Sequence, residues 1–434
     1  MSEATLKQLA NEIISNNTIS SDYYQEYDVK RGLRNLDGSG VLAGLTHISS
    51  VVGSKKSSHE MVAVDGILTY RNISLLDIAK SCTEASTNNF EKTCFLLLVG
   101  RYPSESELSA LISYMADHRE LPKEVIQGII DTIPSKDIMN KLQTCISALY
   151  AFDTDPDSLD PVENFLKSLR IIAKIPMIVA YSYLKAYKPN AKRVLPTKDM
   201  SHAKAFLHML YEGSSVSSFV EHIIDLSLVL HAEHGGGNNS TFTTYVVSSS
   251  GSDIFSSLAA AIASLKGPLH GAANRKVMEM MADIKSNVTD WSNVSEVKAY
   301  LATLIRQEAG DRSGKIYGLG HAVYTKSDPR AIAIKSVAQQ IAKQSNRVEE
   351  YNLYNLIADE TPTVFQEVKQ SNKVISPNVD FYSGFVYDCI DIPTEIYTPI
   401  FAMARISGWC AHRIEDMLSG KRIIRPGYKF VVPK

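Results

Sequence analysis

Neither sign of charge dominates this chain: 45 lysines and arginines stand against 47 aspartates and glutamates, leaving a formal charge of -2 over 434 residues. A surface so balanced has no basic field for phosphate backbones or anionic lipid, so nucleic acid and membrane are not expected partners. Cysteine is scarce and scattered. Cys82, Cys94, Cys145, Cys389 and Cys410 form no CxxC pair and are odd in number, which excludes a disulfide framework and predicts reduced thiols in a cytoplasmic protein. Long apolar runs are missing too: the most membrane-like, Ile171 to Leu184, is interrupted by Lys174 and Pro176 and is too short to span. The N-terminal Met1-Ser2-Glu3-Ala4-Thr5-Leu6 has neither a signal peptide's apolar run nor the acid-poor, Arg-rich character of a transit peptide. A soluble chain is expected.

Strand signals are few. Met61 to Tyr70 reads as two short extended pieces around an Asp65-Gly66 turn, and the tail Tyr428 to Val432 as one more. Helical stripes dominate instead: Phe219, Ile223, Leu226 and Leu230 share one face of a helix that should stop at the glycines after His234. Ala273, Val277, Met280, Met281 and Ile284 repeat that spacing, and Ile400, Met403, Cys410, Ile414 and Met417 form a third stripe. The class is mainly α. With 44% apolar residues and this length, two domains are expected, although no Pro/Gly linker marks a boundary.

Five segments could carry chemistry. In Gly267-Pro268-Leu269-His270-Gly271, the histidine sits where one helix ends and another begins, beside unpaired N–H groups that disfavour an imidazolium. A neutral ring there can donate to a carbonyl oxygen gaining charge, or it merely packs at a tight turn. His234 follows a helix C-terminus, where the dipole favours the cation and hence an anionic ligand. Together with His231 and Glu233 it could instead belong to a metal site of a hydrolase, for which the H-x-x-H spacing is a weak signal; for His231 a buried ring hydrogen-bonded to backbone is the plainer reading. Gly318-Leu319-Gly320-His321 lets backbone pass close to a ligand, ahead of Asp328-Pro329-Arg330. Asp380, flanked by Val379, Phe381 and Tyr382, is either a carboxylate made more basic by apolar surroundings or a helix N-cap. Arg405, on a buried face with Phe401 and His412, requires an anion, whether a ligand or an internal salt bridge.

Their order is more informative than any one of them. GPLHGAAN, GLGHAVYTKSDPR, PNVDFYSG, IFAMARISGW and a C-terminal Arg-Pro, preceded by Gly66 to Arg71 and Phe90 to Gly100, resemble the citrate synthase family along almost the whole chain. The resemblance implies a mainly α, two-domain fold with a few short N- and C-terminal strands: a large domain from 1–271 and 383–434 and a small mobile domain from 272–382. It also implies condensation of acetyl-CoA with oxaloacetate and hydrolysis of citryl-CoA to citrate and CoA, the Si-type entry step of the tricarboxylic acid cycle, without metal or other cofactor. By resemblance His270 polarises the thioester carbonyl, Asp380 removes the methyl proton and His321 polarises the ketone of oxaloacetate. His234, Arg330, Arg405 and Phe401 surround that substrate, with Arg425 arriving from the second subunit of a homodimer. Gly318, Leu319 and Gly320 would lie along CoA, with Lys326 and Lys373 as phosphate partners. Asn72, where many relatives have glycine, and Thr325, where some have a basic residue, depart from the family pattern. The near relative 2-methylcitrate synthase, acting on propionyl-CoA, would use the same residues.

Overall fold

The computed structural model describes Glu3, Lys7 and residues 17–35, 37–57, 60–271, 273–371, 374–420 and 422–431. Two compact units result, Thr46–Arg422 and a smaller one of Met1–Leu45 with Ile423–Lys434. The smaller unit carries helix α1 (Ser21–Glu26), beyond which Lys429 lies over the Tyr27 ring at 5.5 Å. Its tail through Val431 contains no strand, contrary to the sequence expectation. Residues Tyr428 and Phe430 are exposed there.

The larger unit begins with strand β1 (Ser49–Ser57), antiparallel to β2 (Glu60–Tyr70), and β2 pairs in turn with β3 (Ile73–Ser74). Thus β2 is one strand, not two pieces around a turn. The Asp65-Gly66 pair marks a bulge: Val52 pairs with Ile67 and Ser54 with Ala63, so 64–66 face Gly53 alone. This bulge seats a distant loop. A Cβ at Gly53 would run into the Val323 carbonyl and one at Gly66 into that of Ser327, while Gly66 N–H donates to Ser327 Oγ at 3.0 Å. The β2–β3 turn has φ of 47° at Arg71 and 67° at Asn72, the left-handed pair of a tight hairpin. Asparagine tolerates that region better than most residues.

Helices supply the core. Helix α2 (Pro161–Tyr187) runs through Lys174 and Pro176 without a break, burying Ile171 to Leu184 as a core element. Lys174 reaches the His118 carbonyl, which accommodates its charge. Next come α3 (Ser218–His231), α4 (Asn239–Ser248), α5 (Ile254–Lys266), α6 (Ala273–Asn287), α7 (Pro329–Gln344), α8 (Val379–Cys389) and α9 (Tyr397–Ser419). Phe219, Ile223, Leu226 and Leu230 are all buried, as are Val277, Met280, Met281 and Ile284, so the stripes face the core as their spacing predicts. Helix α9 packs against α2, α3, α4 and α5 and is buried almost all round from Ala402 to Arg413. Charged groups on it are therefore forced to find partners inside the protein. All five cysteines are free, four buried and Cys389 half-buried. No described helix is long and apolar enough to cross a membrane.

Candidate active site

Helix α3 ends at His231, and the hydroxyl of Tyr70 sits at that end, 3.1 Å from the Val229 carbonyl, 3.3 Å from that of Leu230 and 3.2 Å from that of Glu233. Tyr70 thereby fixes the chain where His234 projects. The ring of His234 lies 5.1 Å from His321 and 5.4 Å from Tyr324, edge-on to both. Its Nε2 is buried without a partner. Contrary to the helix-dipole argument, His234 is neutral: burial, then the charges of Arg330, His321, Arg405 and His270, push it well below the ordinary histidine value. Desolvation beside arginines outweighs half a unit charge from a helix end.

His321 is held by its own backbone. Val323 N–H and Tyr324 N–H donate to Nδ1 at 3.0 and 3.1 Å, which leaves the ring proton on Nε2. The Gly318-Leu319-Gly320 loop before it is laced to the N-terminus of α8: Gly320 N–H donates to Ser376 O at 2.8 Å, Asn378 N–H to Gly318 O at 2.9 Å, and the Asn378 amide to Gly320 O at 2.9 Å. Asn378 is also the helix cap, accepting from Asp380 N–H at 3.0 Å, so Asp380 is left free of that duty. Gly318 has φ of 78°, and a Cβ there would lie 2.8 Å from both Phe381 and Val277. We expect Gly318→Ala to cost about 2–4 kcal/mol from strain and crowding together. A thermal melt with turnover measured in parallel checks this, because the loop carries His321 and abuts Asp380.

Burial pushes the half-buried Asp380 up to about 6, against the pull of Arg330, with Asp328 adding to the rise and Arg405 opposing it. Arg330, buried in the first turn of α7, is clamped by its N-cap Asp328 through Nε at 3.1 Å and Nη2 at 2.7 Å, a pair that raises the arginine despite burial. Arg405 has no such partner. Its Nε donates to His231 O at 2.7 Å, its guanidinium lies 4.6 Å from the Phe401 ring centre, and Nη1 and Nη2 are buried with no hydrogen bond. Burial lowers it to about 10, and Glu233 supplies the largest supporting charge. The internal salt bridge that would have explained it is absent among the described residues, so an open guanidinium fork waits for an anion.

His270 stands in the turn between α5 and α6, its N–H donating to Gly267 O at 2.9 Å. Its Nε2 lies 3.1 Å from Ser240 Oγ, and Ser240 in turn donates to Asn238 Oδ1 at 2.8 Å. Burial first and Arg405 second lower the ring to about 4, so it is neutral at neutral pH. Thr398 Oγ1 donates to Gly271 O at 2.8 Å and Asn274 to Ser383 Oγ at 2.6 Å, which ties this turn to α9 and α8. His234, His270, His321, Arg330, Arg405 and Asp380 thus share one electrostatic field, with Phe401 under the open arginine.

Lys326 pairs with Asp65 at 3.2 Å, Lys373 lies outside the described residues, and Arg425 is an exposed residue of the smaller unit. The metal alternative has no ligand set: the His231 ring lies 4.6 Å from Phe401, His234 faces His321 and Tyr324, and Glu233 turns to His412 and Ser49. No three His, Cys, Asp or Glu side chains among the described residues group to hold a metal ion. The Nδ1 of His231 is buried without a hydrogen bond. Sequence reasoning missed Tyr70, Ser240, Asn378 and Asp328. Only Asp328, as a cap before Pro329, left a local signal.

A family model described as citrate synthase, C-terminal domain, matches residues 35–427. Citrate synthase 2 of Bacillus subtilis (strain 168) is 32% identical over 396 residues, covering 91% of this chain and 95% of its own. The citrate/2-methylcitrate synthase of the same organism is 33% identical, covering 91% and 95%. The citrate synthase of Thermoplasma acidophilum, solved as a ternary complex with carboxymethyl coenzyme A and oxaloacetate, superposes with a TM-score of 0.76 at 26% identity, covering 94% of this chain and 97% of its own. The chain belongs to the citrate synthase family, transferase-type enzymes that condense acetyl-CoA with oxaloacetate.

Proposed function

We propose that the cluster around Arg405 binds oxaloacetate and that His270 and Asp380 enolise acetyl-CoA beside it. A methyl group next to a thioester is a very weak acid. Its proton leaves only if the enolate oxygen is stabilised as it forms, by a neutral donor such as His270. Asp380 takes that proton, and a carboxylate raised to about 6 is a stronger base than an ordinary one while still ionised at neutral pH. The carbon then attacks the ketone of oxaloacetate, polarised by His321 through Nε2–H. Arg330, Arg405 and His234 hold the carboxylates, with Arg425 reaching the same substrate from a second copy of the chain in a homodimer. Arrival of a dicarboxylate favours protonation of His234, so oxaloacetate binding takes up a proton there. The citryl thioester is hydrolysed to citrate and CoA, with no metal or cofactor taking part.

The single observation that carries this reading is the buried, unpaired fork of Arg405 in the field of a raised carboxylate and neutral histidines. The 272–382 segment acts as a small domain closing over oxaloacetate, which keeps water from acetyl-CoA. Along CoA, Gly318 to Gly320 line the adenine side, with Lys326 and Lys373 near phosphate; Lys326 must then leave Asp65. The reduced cysteines suit a cytoplasmic enzyme of the tricarboxylic acid cycle.

The test is CoA release with oxaloacetate and acetyl-CoA or propionyl-CoA side by side. Faster turnover of acetyl-CoA supports citrate synthase; a preference for propionyl-CoA would make the chain a 2-methylcitrate synthase, the activity included in the name of one relative. The pH profile adds a second check. Asp380 acts only when ionised, so kcat should fall as pH drops through about 6, while His270, lowered to about 4, stays neutral across that limb.

A further inference from the structure

Glu233 is fully buried, and the chemistry above gives its carboxylate no task. Its Oε1 accepts from His412 Nε2 at 2.8 Å, from Ser49 Oγ at 2.8 Å and from Gly235 N–H, one residue beyond His234. On the other side of the imidazole, Nδ1 lies 2.7 Å from the Tyr245 hydroxyl, which lies 3.1 Å from Glu415 Oε2. The second oxygen of Glu415 accepts from His47 N–H at 2.6 Å. Although burial works against it, His412 by charge and hydrogen bond, with Arg405 behind it, holds Glu233 down at about 2, so this carboxylate is ionised.

Protons can be counted along this chain. The links Glu233–His412, His412–Tyr245 and Tyr245–Glu415 each need one, while two carboxylates, a neutral imidazole and a phenol supply only two in all. All three links form together only with one further proton, which on the imidazole makes His412 a cation donating to Glu233 on one side and to the Tyr245 hydroxyl on the other. Arg71, which senses both Glu415 and Glu233, is a more distant cation on the β2 side.

Helix α9 brings this network to the substrate pocket. Arg405 and His412 lie seven residues, or about two turns, apart on it. Between them stands Gly408, where a Cβ would run into Glu233 Oε2. The helix therefore admits the carboxylate, and Glu233 becomes the largest supporting charge of Arg405. A carboxylate so placed is hazardous to a substrate site. Without a cation of its own it would draw the free Nη groups of Arg405 and compete with the incoming dicarboxylate.

We infer that His412 is a positioning residue for the dicarboxylate pocket: by neutralising Glu233 it lets that carboxylate fix the Gly235 turn beside His234 while the Arg405 fork stays open for substrate. This rests on the reading of Arg405 as an oxaloacetate ligand. Steady-state kinetics on the full chain test it with His412→Gln, Glu233→Gln and the double variant. His412→Gln keeps a donor to Glu233 but cannot carry charge, and should raise KM for oxaloacetate about tenfold or more with kcat changed only a few-fold. Adding Glu233→Gln removes the stranded charge and should bring KM back to within about threefold of the unmodified enzyme. An unchanged KM in His412→Gln, or a double variant no better than the single one, overturns the inference. If His412→Gln alone does not fold, the double variant still decides, because a tenfold raised KM there refutes the charge account. Failure of the underlying reading is distinct, since the unmodified enzyme would then show no oxaloacetate-dependent CoA release.

Discussion

Asp380→Asn should lower kcat by about 10³- to 10⁴-fold while leaving oxaloacetate binding within a few-fold of normal, as the loss of a general base requires. Asparagine fills nearly the same space, and the N-cap of α8 belongs to Asn378, so the helix is not disturbed. The base is lost and little else. Stability should move the other way. A carboxyl raised from its ordinary value to about 6 binds protons more tightly folded than unfolded, so it costs stability as pH rises through that window. At neutral pH the cost is present in full, and Asp380→Asn should melt at a higher temperature. Calorimetric titration with oxaloacetate, a thermal melt at pH 7 and single-turnover enolisation of acetyl-CoA separate these effects. Turnover near normal in Asp380→Asn would remove it from the role of base.

That cost explains which parts of the fold the sequence could announce. Stripes such as Phe219-Ile223-Leu226-Leu230 obey one local rule, helical spacing against a core, and all four residues are buried. The Asp65-Gly66 pair obeys a non-local one. It reads as a turn, yet it is a bulge because the carbonyl of Ser327, 261 residues away, must approach Gly66 closely. The tail from Tyr428 alternates like a strand but forms none among its described residues, through Val431. At His234 local and distant effects oppose each other in the same way: the helix end favours a cation, whereas burial beside Arg330 and Arg405 disfavours one. Identity of the site residues came from motif order, which no single motif would have supplied. What stayed hidden were the supports, Tyr70 under the α3 terminus, Ser240 against His270 and Asn378 across the glycine loop, because each is defined by a partner distant in sequence.

Arg405→Ala should affect binding rather than chemistry. Truncating one side of a buried charge pair costs about 2–5 kcal/mol, so oxaloacetate affinity should fall by at least ~30-fold, seen by calorimetric titration. The same variant discriminates between a ligand-binding arginine and a structural one. A structural salt bridge at this depth would cost about 3–5 kcal/mol of stability when broken. Here Nη1 and Nη2 hold nothing, and Glu233 is already engaged by His412 Nε2, so the melting temperature should fall only by what the cavity and the lost bond to His231 O demand. Arg405→Lys should restore charge but little affinity, because a single ammonium cannot engage both oxygens of a carboxylate as a guanidinium fork does. Large destabilisation with oxaloacetate affinity intact would instead make Arg405 part of the scaffold, and the open fork would lose its meaning as a substrate site.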